Sequence, residues 1–110
     1  MIFTLNHKQG VSAIMAKVTI SEHTIGVSGG AQIAAYPKLA GQILDTSGGM
    51  QVSAAFGDGS KMIRVNTDGP ICFVIGRNPT ATTSDDRMAT NQTEYFNVQP
   101  GDKIAVITTT

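Results

Sequence analysis

The chain has 110 residues, of which 41% are hydrophobic and 15% charged. Because domains usually have about 100–150 residues, residues 1–110 are predicted to form one domain. Its eight basic and eight acidic residues cancel to a formal net charge of zero, which argues against direct binding to nucleic acid, because such binding depends on clustered Lys and Arg. The single cysteine excludes an intramolecular disulfide.

Turn-forming clusters divide the chain at short intervals and leave room for little except strands. Alternation of apolar and polar residues supports this, since Ala16, Val18 and Ile20 share one predicted face and Lys17 and Thr19 the other. Eight or nine short strands in one domain are typical of a sandwich or barrel, so we expect an all-β, jelly-roll-like antiparallel β-sandwich of about eight strands. The strands are predicted near residues 2–5, 11–20, 22–27, 42–45, 50–56, 61–66, 71–76, 93–98 and 103–108.

Two connections have distinctive sequences. Residues 57–60, Gly-Asp-Gly-Ser, predict a tight hairpin between strands 50–56 and 61–66, because glycine accepts the positive φ of such turns. Strand 50–56 is expected to turn Met50, Val52 and Phe56 to one face. Residues 31–40 are the only helical candidate, and Pro37 limits them to one or two turns or to a loop.

Residues 77–92 have no hydrophobic period and are long for a loop in a compact domain. Long ordered loops commonly serve a function, so this segment predicts a contact surface, together with the N-terminal arm. Arg77 and Arg87 of this segment are candidates for contact with a partner, because arginine forms bidentate pairs with carboxylates. The candidate contact residues are Arg77, Asn78, Asp85, Asp86 and Arg87.

Residues that support catalysis or metal binding are few. His7 and His23 are predicted to be solvated polar residues, and Cys72 lies in an apolar run that predicts a core position. Calcium needs six or more oxygen ligands, which the scattered aspartates of the turns do not supply. The chain has neither a Gly-x-Ser-x-Gly elbow nor a phosphate loop. We therefore expect no enzymatic activity, no cofactor and no metal site.

No stretch of about 18 apolar residues occurs, and the apolar start of the chain is too short for a signal peptide. These features predict a protein made in the cytoplasm, without membrane association.

Two segments of the C-terminal half carry a resemblance to known proteins. They are DGPICFVIGRNPTAT at residues 68–82 and EYFNVQPGDKIAVI at residues 94–107. Over residues 50–108 the chain resembles the small jelly-roll decoration, or cement, proteins of short-tailed bacteriophage capsids. Similar β-sandwich segments occur in phage head, neck and fibre components.

The resemblance implies a virion structural protein on the outer surface of the capsid, where it clamps neighbouring major capsid subunits as a homo-oligomer, with a dimer favoured. Two other classes stay open. One is a neck, tail or fibre component that binds glycans through exposed aromatics, for which the chain offers Tyr36 and Tyr95. The other is a small cupin-like barrel enzyme, suggested by the turn at residues 99–102, although the cupin histidine cluster is missing.

Overall fold

The computed structural model describes residues 15–109, which form two four-stranded antiparallel sheets and a separate two-stranded hairpin. No α-helix occurs in this range, which confirms the all-β prediction. Numbered in chain order over the described residues, the strands are β1 (Lys17–His23), β2 (Ile25–Ser28), β3 (Ala31–Ala34), β4 (Ala40–Asp45), β5 (Gln51–Val52), β6 (Met62–Thr67), β7 (Ile71–Gly76), β8 (Asp86–Met88), β9 (Thr93–Asn97) and β10 (Lys103–Thr108).

The strand order is that of a jelly roll. Sheet I has the order β9-β6-β1-β4 and sheet II the order β5-β10-β7-β8. The pairs β4/β1, β5/β10, β6/β9 and β7/β8 are the four rungs of an antiparallel ribbon wrapped around a core, which is the jelly-roll arrangement. The last strand of such a ribbon normally pairs with its first. Here β1, which precedes β4 in the chain, fills that position.

The two sheets enclose one hydrophobic core. Its members come from alternate positions of the central strands, because successive side chains of a strand point to opposite faces. The predicted alternation of strand 11–20 is confirmed over its described residues 15–20, with the even-numbered side chains 16, 18 and 20 buried and the odd-numbered 15, 17 and 19 exposed, whereas residues 21–23 at the end of β1 are all buried. The centre of the core comprises Val18, Ile20, Ile63, Val65, Ile71, Ile104 and Val106.

Several predicted boundaries differ from the structure. β1 continues to His23 instead of breaking after residue 20, because it lies between β4 and β6 and pairs with both over that length. Residues 31–34 form a strand of the β2–β3 hairpin, which turns at Gly29 and Gly30 with φ of 60° and 87°. The predicted strand 2–5 and the start of strand 11–20 lie outside the described residues.

The predicted hairpin around residues 57–60 is wrong. β5 pairs with β10 in sheet II, whereas β6 pairs with β1 and β9 in sheet I, so the intervening residues cross from one sheet to the other. The predicted apolar face of 50–56 is also reversed near its middle, because Val52 is exposed and Ser53 buried. The Ser53 hydroxyl accepts a hydrogen bond from the Ile104 N–H at 3.0 Å, which holds this side chain against β10.

The segment 77–92 is not a plain loop. It contains β8, and its first part packs onto the protein so that Pro79 and Ala81 are buried. Cys72, predicted as a core residue, is fully buried beneath this part, and its Sγ lies 3.7 Å from the carbonyl oxygen of Thr83. The first part of the segment therefore covers the outer face of sheet II.

Candidate functional site

The two lateral sides of the sandwich differ in charge. One side is formed by the edge strands β8 and β9, and residues 84–94 there include four charged residues, Asp85, Asp86, Arg87 and Glu94. The other side is formed by the edge strands β4 and β5, and residues 39–57 include a single charged residue, Asp45. We call the side formed by β4 and β5 the uncharged edge.

The uncharged edge also exposes aliphatic side chains. Ile43 on β4 is 64% exposed, Val52 on β5 is 40% exposed, and Met50 just before β5 is 36% exposed. Among residues 15–109 each of the two strands has one strand neighbour, so within this range each presents a row of backbone groups on its other side. Soluble proteins usually protect such edges with charged side chains. On β4 the charges are Asp45 at its end and Lys38, whose Nζ lies close to Gly41, whereas residues 46–57 around β5 carry none, and an apolar edge of that kind is typical of a contact surface.

A side-chain bridge joins the two strands of this edge. The Gln42 Oε1 on β4 accepts a hydrogen bond from the Ala54 N–H, just after β5, at 3.0 Å. Because Gln42 belongs to sheet I and Ala54 follows a strand of sheet II, the bond ties the two sheets together at the surface. The bond joins the two edge strands, while Ile43 lies on the outer face of sheet I and Val52 on the outer face of sheet II, so that their side chains flank the edge from opposite faces.

Asp45 lies at one end of the uncharged edge. Its Oδ1 accepts a hydrogen bond from the Ser47 N–H at 3.0 Å and caps the 3₁₀ turn Thr46–Gly48. The backbone hydrogen bond from Ser47 lowers the pKa of Asp45 below its ordinary value, and the Ser47 hydroxyl and the charge of Lys17 act in the same direction. The carboxylate therefore stays ionised within a turn at the end of the edge. Lys38, just before β4, brings one further charge to this side, because its Nζ lies close to Gly41 of β4.

Two of the five sequence-predicted contact residues make contacts inside the protein. Arg77 is exposed, and its Nε lies 3.6 Å from Oδ1 of Asp102, so that the guanidinium group crosses the backbone of Gly101. Asp85 accepts hydrogen bonds through Oδ2 from the Thr82 N–H at 2.7 Å and from the Thr82 hydroxyl at 3.2 Å. Both side chains stabilise turns.

The other three contact candidates are exposed. Asn78 follows Arg77 at the end of β7, while Asp86 and Arg87 lie on β8 opposite Phe73 and Cys72. The structure brings Asp85, Asp86 and Arg87 together on the charged side of the sandwich. Their role in contacts stays a prediction, and the N-terminal arm lies outside the described residues.

The uncharged edge escaped the sequence-based search, although a signal for it was present. The stretch from residue 39 to 57 with one charge is visible in the sequence. Its meaning depends on β4 and β5 being edge strands on the same side, which follows only from the pairing of β4 with β1 and of β5 with β10.

The prediction that His23 is solvated is wrong. Its side chain is fully buried, and Nε2 lies 2.8 Å from the Ser21 hydroxyl. Nδ1 lies 2.9 Å from the Ala35 carbonyl oxygen, which only accepts, so Nδ1 is the donor. The other histidine, His7, lies outside the described residues. Among residues 15–109, no three His, Cys, Asp or Glu side chains are placed to hold a metal ion together.

None of the helical structure in the described range is long and apolar enough to cross a membrane. Comparison with protein-family models, with curated proteins and with solved structures gave no significant match.

Proposed function

We propose that this chain is a virion structural protein, namely a capsid decoration protein that binds the outer surface of a bacteriophage head and links neighbouring major capsid subunits. The observation that carries the proposal is the uncharged edge, where Ile43, Met50 and Val52 are exposed along two tied edge strands. The resemblance of segments 68–82 and 94–107 to jelly-roll decoration proteins supports the same assignment.

The proposed mechanism is mechanical. Packaged DNA pushes a capsid outward, and a rigid sandwich that contacts two subunits adds interface that must separate before the lattice opens. A stable interface buries about 1,200–2,000 Å², and repetition over the shell multiplies its effect. The partners are then the major capsid protein and further copies of this chain, with a dimer favoured. This role involves no catalysis and no direct contact with nucleic acid or membrane.

The uncharged edge suits this contact better than the opposite side. Docking through β8 and β9 would remove water from Asp86, Arg87 and Glu94, and desolvation of a charge costs free energy unless the partner compensates it. Docking through Ile43 and Val52 instead removes apolar area from water, which contributes about 25 cal/mol per Å². Arg77, Asn78 and the charged side remain candidates for a second contact.

The first experiment measures the copy number of this chain in purified virus-sized particles by quantitative mass spectrometry, relative to the most abundant shell protein. A number equal to that of the shell protein, or a simple fraction of it, is expected. A few copies per particle would assign the chain to the neck, tail or fibre instead, which is the second candidate function. Absence from the particles would contradict both.

A second experiment tests the docking surface separately. Ile43→Lys and Val52→Lys each place a charge on the uncharged edge, and we expect binding to particles that lack the protein to weaken at least about tenfold. Val27→Lys makes the same change at an exposed aliphatic residue of the β2–β3 hairpin, away from both sides, and serves as the matched control. Unchanged binding of both edge variants would exclude this docking surface, whatever the copy number.

A further inference from the structure

A half-open cleft of about 380 Å³ lies between the β2–β3 hairpin and the outer face of sheet I. Its volume falls at the lower end of the range for small-ligand sites, about 300–1,000 Å³. The cleft is lined by Gln32, Ile33, Ala34, Tyr36, Met62 and Tyr95.

Both tyrosines of the chain line this one cleft. Tyr36 is 67% exposed and Tyr95 is 50% exposed, so much of each ring is in contact with water. Such rings bury a large apolar area when a ligand covers them, and their hydroxyl groups stay available for hydrogen bonds. Their convergence from segments 59 residues apart in sequence is a product of the fold.

The Tyr36 ring packs against the buried His23 ring. Its centroid lies 4.6 Å from that of the His23 ring, at an interplanar angle of 54°. His23 is itself held by Ser21 and by the Ala35 carbonyl group. Tyr95 lies on β9 beside Arg64 of β6. Tyr95 is therefore held by its strand and Tyr36 by its contact with His23, so the two rings are preorganised in the cleft.

The polar groups at the cleft are amides rather than charges. Asn97 Nδ2 donates to Gln32 Oε1 at 3.2 Å, which orients the Gln32 amide, and Gln32 is one of the lining residues. None of the residues that line the cleft is charged. The lining thus combines two aromatic rings, aliphatic side chains and neutral hydrogen-bonding groups.

We propose that this cleft binds a neutral saccharide. The apolar C–H face of a pyranose ring packs on a tyrosine ring, and its hydroxyl groups pair with amides and tyrosine hydroxyls. The lining itself carries no charge to pair with a phosphorylated or acidic ligand, and the cation beside it, Arg64, lies opposite Tyr95 on β6 without lining the cleft. The site does not depend on the decoration role, and it is separate from the uncharged edge, because Tyr95 lies on β9 and the edge begins at β4, at opposite sides of sheet I.

The test is an NMR titration of the full chain with glucose, galactose, mannose, N-acetylglucosamine and their neutral oligosaccharides. We expect resonances of the cleft residues to shift for at least one sugar, and we expect Tyr95→Ala to weaken that binding about threefold to tenfold. Tyr95→Phe keeps the ring and should retain most of the affinity. Ile43→Ala, an exposed apolar residue outside the cleft, should have no effect.

Tyr36→Ala provides a second loss, interpreted only after its unfolding midpoint has been compared with that of the original chain, because Tyr36 packs on His23. Failure of every sugar to bind, or binding that survives Tyr95→Ala unchanged, would overturn the proposal. Concentration-dependent self-association abolished by Tyr95→Ala, with no sugar binding, would show that a second copy occupies the cleft and would equally overturn it.

Discussion

Glu22 and His23 are consecutive residues of β1, and both side chains are buried although they point to opposite faces of sheet I. Glu22 Oε1 accepts a hydrogen bond from the Gly57 N–H at 2.9 Å and another from the Ser60 hydroxyl at 2.5 Å. A buried carboxylate is tolerated when such donors compensate its desolvation. Glu22 therefore fixes the crossing between the two sheets at the turn that the sequence placed in a hairpin.

Replacing Glu22 tests this role. Glu22→Ala leaves the Gly57 N–H and the Ser60 hydroxyl without their acceptor, so we expect the free energy of unfolding to fall by about 1–3 kcal/mol. Glu22→Gln keeps one acceptor oxygen and should cost less. Urea unfolding followed by circular dichroism measures both. The other glutamate of the chain, Glu94, is half-buried and provides the matched control, and a Glu22→Ala loss no larger than that of Glu94→Ala would contradict the assignment.

The β2–β3 hairpin and residues 77–85 differ in how much of them is buried against the sandwich. The β2–β3 hairpin is inserted between β1 and β4, which pair directly with each other, and most of its residues are exposed. The Ala35 N–H donates to the Thr24 carbonyl at 2.9 Å, which closes the base of the hairpin. Residues 77–85, by contrast, bury Pro79 and Ala81 and cover Cys72.

We therefore predict that the hairpin is dispensable for folding and that the 77–85 segment is not. Replacing residues 25–34 with Gly-Gly turns the Thr24–Ala35 hydrogen bond into that of a four-residue turn, so the sandwich should persist. Replacing residues 79–84 with Gly-Gly should expose the outer face of sheet II and lower the unfolding temperature more.

The single cysteine gives a direct readout of this difference. Cys72 is fully buried, so a thiol reagent reaches it only when the cover opens. Its labelling rate should stay low in the hairpin deletion and rise at least about tenfold in the 79–84 deletion. Fast labelling in the hairpin deletion, or slow labelling in the other, would reverse the assignment of the two elements.

At the scale of the whole molecule, local patterns and long-range pairing contribute differently to the fold. β6, β7, β9 and β10 were predicted within about one residue of their bounds, because alternation and flanking turns are local signals. β5 was placed in the wrong sheet, since its partner β10 lies about fifty residues away and the Ser53–Ile104 bond that helps position it has no local signature. Likewise, the low charge of residues 39–57 is visible in the sequence, but their position at an edge of the sandwich follows only from the strand pairing.

The jelly-roll order makes a prediction about chain connectivity. β1 fills the place of the last strand, and its start lies near the end of β10: Thr108 is opposite Ile71, and the nearby Gly69 packs against Met15 and Ala16. Residues 109–110 and 1–14 together span up to about 50 Å when extended, which is ample to join these two points. A circular permutant that joins Thr110 to Met1 and opens between Gly29 and Gly30 would place β1 last among the strands of the two four-stranded sheets, followed by β2 alone, and so restore the usual strand sequence of a jelly roll.

We expect this permutant to fold, because every strand pair of both sheets is retained and the new ends lie at an exposed turn with open space around Gly29 and Gly30. Its far-UV circular dichroism should match that of the original chain, with a lower unfolding midpoint because the hairpin loses its turn. A second permutant with the same junction, opened between Asn78 and Pro79, is the matched control and should be less stable, since its ends disturb the cover over Cys72. If the first permutant aggregates while the second folds, the covalent connection from β1 through the hairpin to β4 is required for folding, and the hairpin is part of the folding core.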